Sequence, residues 1–178
     1  MKIVLTLLVF ALISTTNIYA QKQIKPKLSK IESLFKKGEL IEAKEISDVS
    51  ISYEKTMNNP KTWYLRGLIY MALDTSASMV GVTSDALQTS LSSFNKSDVL
   101  NEGEDKEPFI TDDVGIPTTK TQQIETYWGF YYNKAATAFG EKDYVEAISS
   151  FNNAALIKPN DTNSVINAGY AAVQAKMY

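Results

Sequence analysis

Residues 128–161, WGFYYNKAATAFGEKDYVEAISSFNNAALIKPND, carry the reading on which the fold depends. Ala135, Ala147 and Ala154 lie at helical spacings on either side of Lys142-Asp143-Tyr144. Small side chains there let two antiparallel helices approach closely, while Phe151 and Tyr144 fill the space between them. Pro159 stops the second helix, because its ring cannot continue an α-helix interior. The pattern then starts again: Asn133 and Asn167, Ala135 and Gly169, Ala138 and Ala172, and Tyr144 and Tyr178 are each 34 residues apart. A fixed period of that length marks a helix–turn–helix repeat, which stacks on its neighbours because one unit cannot bury its own apolar face.

This stretch resembles the tetratricopeptide repeat. Tyr131 stands at the bulky aromatic position, Ala135 at the small position of the first helix and Lys142-Asp143-Tyr144 at the turn. Ala147, Phe151, Ala154 and Pro159 fall at the small, aromatic, small and proline positions of the second helix. Lys134 departs from the pattern, where the family carries Leu, and its stem is expected to snorkel to solvent. A second match runs through Pro60-Lys-Thr-Trp63-Tyr-Leu-Arg-Gly67-Leu-Ile-Tyr70, with Trp63, Gly67 and Tyr70 at aromatic, small and aromatic places. Its partner helix aligns through Ser90, Leu91, Phe94 and Ser97, leaving about eleven extra residues near 74–84. Lys27 to Asn59 is a weaker relative: Ile31, Leu34 and Phe35 form one stripe, Gly38 to Ala43 the turn and restart, and Ile46, Val49 and Tyr53 a second face. Residues 162–178 supply the first helix of a further repeat. The resemblance implies an all-α fold, a right-handed α-solenoid of tetratricopeptide-like helix–turn–helix repeats, divergent over 21–100 and clearest over 123–161.

Residues 101–122 read as an acidic loop, because Gly103, Gly115, Pro108 and Pro117 among six acids break helical periodicity. The next helix is expected to begin near Thr118–Thr121, where hydroxyls can cap it, and to run through Phe139. At 162–178 an unpaired helix would expose Val165, Ala168, Ala172 and Val173. The stretch is expected to belong to a longer array, with a terminal cap as the alternative.

Met1-Lys2 and the apolar run Ile3–Ile13, followed by polar residues and Ala20, read as an export signal cleaved near Ala20. The run is shorter than the ~20 residues of a membrane-spanning helix. With no Cys, a lipid anchor is excluded. The expected compartment is periplasmic or extracellular, associated with the cell envelope. The Gln21 start and the Lys, Asn, Ile and Ser content look similar to exported proteins of Bacteroidetes-type bacteria.

The 178 residues are 44% hydrophobic and 21% charged, with a net charge of −2 and no His or Cys. That composition is globular, and it removes disulfides, thiolate nucleophiles, His-based triads and common zinc or haem sites. No basic cluster suits nucleic acid. The acids of 101–122 lack the order of a calcium loop, and no carboxylate pair is set apart for acid–base catalysis. No enzyme activity, cofactor or metal is expected.

The resemblance implies a non-catalytic scaffold that binds a protein or peptide segment in the concave groove lined by the first helices. Carried over position by position, it gives Lys61, Tyr64, Leu68 and Met71 from one repeat, Tyr132, Asn133, Ala136 and Phe139 from the next, and Asn167 and Tyr170 from the last. Tyr on such a face offers a large apolar area and one hydroxyl at low entropy cost. Two alternatives stay open: a structural spacer that self-associates through 162–178, and the repeat region of a longer exported protein whose activity lies beyond residue 178.

Overall fold

Seven α-helices and one short β-hairpin make up the described residues of the computed structural model, which are 25–79, 81–112 and 114–176. The expected export signal at 1–20 and the repeat partner Tyr178 lie outside them. In chain order the elements are α1 (Leu28–Lys36), α2 (Leu40–Ser50), α3 (Pro60–Thr75), a 3-10 turn (Ala77–Met79), α4 (Ala86–Leu100), β1 (Phe109–Thr111), β2 (Pro117–Thr119), α5 (Lys120–Gly140), α6 (Tyr144–Ile157) and α7 (Thr162–Gln174). The fold is mostly helical. α1 packs on α2, α3 on α4, α5 on α6, and α6 on α7.

Local chemistry sets the helix ends. Asn59 accepts from the Lys61 amide at 2.9 Å, and Pro60 occupies the first turn of α3, where its missing N–H costs nothing. Asp143 accepts from the Glu146 amide at 3.1 Å and Asp161 from the Ser164 amide at 3.0 Å, starting α6 and α7. Gln122 reaches back to accept from the Thr119 amide at 2.9 Å, so α5 begins inside the range expected for it. The second face read in the first segment stops short. α2 ends at Ser50, whose carbonyl accepts from the Thr56 hydroxyl at 2.7 Å, and Tyr53 lies in the turns that follow. Lys134 reaches Glu146 at 2.9 Å across the α5–α6 pair.

Small residues bring α3 and α4 together. Ser90 donates to the Gly67 carbonyl and Ser97 to the Pro60 carbonyl, each at 2.9 Å, so buried hydroxyls stay satisfied while the helices run antiparallel. A Cβ on Gly67 would stand 2.5 Å from two ring carbons of Phe94, which is 1% exposed and has no room to retreat. In an open helix interior Gly→Ala stabilises, by about 0.5–1 kcal/mol. At Gly67 the sign is expected to reverse: Gly67→Ala should lose about 1–3 kcal/mol in urea unfolding. Gly169→Ala, which meets nothing within 4 Å, should gain stability. A gain at both sites would show that Gly67 is not a contact glycine.

The region read as an acidic loop is partly ordered by backbone pairing. β1 and β2 run antiparallel with Ile110 opposite Thr118, and Asp112 closes the turn by accepting from the Val114 and Ile116 amides at 3.0 and 2.7 Å. The acids and prolines hid the strand alternation, in which Ile110 is buried while Phe109 is exposed. The hairpin lies on α3: the Tyr64 hydroxyl donates to the Thr118 carbonyl at 2.8 Å, and Ile110 joins the core cluster that contains Tyr64 and Leu68.

Candidate functional site

α5, α6 and α7 enclose a cavity of about 310 Å³ lined by Tyr132, Ala136, Phe139, Phe151, Asn167 and Tyr170. Helical spacing puts Tyr132, Ala136 and Phe139 on one face of α5, and Asn167 and Tyr170 on the facing side of α7. Phe151 of α6 forms the floor, edge-on to Tyr132 with ring centroids 5.4 Å apart. The Asn167 amide donates to the Tyr132 hydroxyl at 2.8 Å, tying the two walls together. Tyr170 is 63% exposed and forms the rim.

Supporting contacts hold this geometry from outside the cavity. The Trp128 ring stacks 4.9 Å from Tyr132, and its indole N–H donates to Asp161 and to Ser164 at 3.1 Å each, anchoring the start of α7 to α5. The Ser164 hydroxyl holds the Asp161 carboxyl below the usual range. Lys158 lies 4.7 Å over the Trp128 ring and pairs with Glu125 at 2.8 Å. No lining residue is charged, so the cavity offers apolar area, two phenols and one carboxamide.

Of the residues expected in a continuous groove, the structure brings Tyr132, Phe139, Asn167 and Tyr170 together, with Ala136 between them. Asn133 is exposed on α5 and stands outside the lining. Tyr64, Leu68 and Met71 require correction: they are 0%, 0% and 9% exposed, sealed into the larger core cluster, which also takes in Tyr127 and Tyr131 of α5, instead of facing solvent. The hairpin covers Tyr64, whose phenol is pushed well above its ordinary range by burial. Lys61 stands apart from the cavity, paired with Glu32 at 2.8 Å and lying 5.9 Å over the Phe109 ring. Sequence reasoning assigned Phe151 to packing alone. Phe151 is 4% exposed and packs with Ala135 in the α5–α6 core, so its place at the cavity floor depends on the pairing of three helices and left no separate signal in the sequence.

α7 leaves Val165, Ile166 and Val173 between 53% and 60% exposed, whereas Ala168 is buried against α6, contrary to its expected exposure. Among the described residues no helix is long and apolar enough to cross a membrane. No protein-family model matches the chain, and a search of curated proteins finds no significant match.

Proposed function

We propose that the chain is a non-catalytic interaction scaffold, of the tetratricopeptide-like solenoid type, exported to the periplasm or cell envelope and binding a protein or peptide segment in the groove between α5 and α7. The observation that carries this reading is the uncharged cavity walled by Tyr132, Phe139, Asn167 and Tyr170 and floored by Phe151. Concave apolar sites with a few convergent polar groups are where ligands gather. Aromatic anchors at the centre of such a site supply most of the binding energy. A second reading, a self-associating spacer, is favoured by the exposed Val165, Ile166 and Val173 on α7.

Affinity capture from envelope extract compares the wild-type chain with Tyr132→Ala and Tyr170→Ala. The proteins retained by the wild-type chain should be reduced about tenfold or more by each variant, the loss of one aromatic anchor of about 2 kcal/mol. Circular dichroism of the Tyr170→Ala variant should be unchanged, since Tyr170 is a rim residue. Capture unaffected by both substitutions, together with concentration-dependent sedimentation abolished by Val173→Glu, would establish the spacer reading instead.

A further inference from the structure

The chain has a single arginine among 18 basic residues, and it is placed where three helices meet. Arg66 lies in α3 with its side chain only 14% exposed. Its Nε donates to Asp48 Oδ1 of α2 at 2.9 Å, and its Nη1 donates to the Ser93 hydroxyl of α4 at 2.8 Å. Ser93 is fully buried and gives its own proton to the Thr89 carbonyl at 2.7 Å, so its oxygen is left to accept from Arg66. One turn further along α3, the Tyr70 hydroxyl donates to Asp48 Oδ2 at 2.9 Å, and the guanidinium lies 4.6 Å from the centroid of the Tyr70 ring. Lys44, one turn earlier on α2, donates to the same oxygen at 2.9 Å. One carboxylate on α2 thus collects the donors that tie this helix to α3 and, through Arg66, to α4.

The other polar ties of this first helix pair are on α1, and they reach the hairpin. Glu32 pairs with Lys61 of α3 at 2.8 Å and with Lys36 at 3.1 Å, and Lys36 also donates to the Thr111 hydroxyl of β1 at 3.3 Å. α1 therefore holds β1, while Tyr64 of α3 holds β2 through the Thr118 carbonyl. α1 and α2 pack on each other and on α3, and α2 leads into α3 through residues 51–59. From this we infer that α1 and α2 form a movable clamp on the β-hairpin, latched shut by Asp48 through Arg66 and Tyr70. When the latch is broken, the pair swings off α3 and the hairpin loses its hold on α1. Three features fit. A planar guanidinium meets Asp48 and Ser93 at once while stacking on Tyr70, which a lysine ammonium cannot do. Asp48 and Lys44 are 31% and 27% exposed, so water reaches the latch, and contacts of that kind open before a sealed core does. Ile31, Leu34 and Ile46 keep the apolar side of the pair in the core cluster, so the open form is a minor state of the native chain. The clamp is independent of what the α5–α7 groove binds.

Native-state hydrogen exchange of the full chain, resolved by residue, tests it. In Asp48→Asn and in Arg66→Lys the amides of α1, α2, β1 and β2 should exchange about tenfold or more faster than in the parent chain, the loss of a charge-assisted contact, while those of α5 and α6 keep their rates. Tyr70→Phe keeps the ring and removes one donor, so it should fold with the parent and show the same pattern at about threefold. Acceleration spread equally from α1 to α7 would make Asp48 an ordinary stabilising group and overturn the inference. So would acceleration in α1 and α2 with the hairpin unchanged, because the pair would then clamp nothing. Unchanged exchange in Arg66→Lys would show that the guanidinium fork is not the latch.

Discussion

Above pH 10 the helical signal is expected to collapse within about two pH units, after a flat plateau from about pH 5 to 9. The plateau follows from the absence of His, the side chain whose charge ordinarily changes in that range. The collapse follows from three phenols, Tyr64, Tyr127 and Tyr131, at 0%, 1% and 7% exposure. Burial raises all three above the ordinary tyrosine range, and for Tyr127 and Tyr131 the neighbouring Asp74 carboxylate raises them further. In the unfolded chain they ionise near pH ~10, whereas the native chain keeps their protons. Native structure therefore holds more protons than the unfolded chain once the pH passes that point, and stability falls as pH rises. Each group contributes a slope of about 1.4 kcal/mol per pH unit, and three together about 4 kcal/mol. A total stability of about 5–15 kcal/mol is consumed quickly at that rate. Far-UV circular dichroism and tyrosinate absorbance followed together should show part of the tyrosine ionisation arriving with helix loss. Ionisation of all ten tyrosines near pH ~10 with helicity intact would falsify the assignment of buried phenols.

The helices were legible in the sequence because their determinants are local. Pro60 behind Asn59, Asp143 ahead of Tyr144 and Thr119 with Gln122 are caps within a few residues of the termini they fix. Gly67 was legible as a small position of α3 and Phe94 as a residue of its partner helix; that the Phe94 ring lies against Gly67 is set by how the two helices pair. What the sequence hid depends on distant pairing. Tyr64, Leu68 and Met71 keep the period of a groove-facing stripe, and nothing in their own helix says that residues some fifty positions later will fold back over Tyr64. Ser47 and Ser50 stand on the packed face of α2. They are fully buried because each hydroxyl returns to a carbonyl three residues earlier, at 2.8 and 2.7 Å, which spares the core an unsatisfied group. The cavity was half legible: the α5 and α7 residues share one period, but its depth is set by Phe151 on the intervening helix.

Replacing Asp74 by alanine is expected to cost about 3 kcal/mol and to loosen the two halves of the molecule from each other. Asp74 sits in the last turn of α3, where the helix dipole disfavours a carboxylate, so its position makes sense only through what it accepts. The Tyr127 and Tyr131 hydroxyls of α5 both donate to its Oδ2, at 2.5 and 2.6 Å, and their spacing of four residues puts both rings on one face with centroids 5.8 Å apart. Hydrogen bonds to a charged acceptor are worth about 1.5–3 kcal/mol each, and removing the acceptor strands two buried donors at once. Asp74→Asn keeps an acceptor oxygen without the charge and should lose about half as much. Tyr127→Phe and Tyr131→Phe remove donor and demand together, so each should cost less than Asp74→Ala, and the pair should be non-additive because they share one oxygen. Trp63 in α3 and Trp128 in α5 report the two halves separately when the other is changed to Phe. In the parent chain their urea transitions should coincide; in Asp74→Ala the midpoints should fall and separate. Coincident transitions displaced by less than about 0.5 kcal/mol would mean that Asp74 neither supports the fold nor joins its halves.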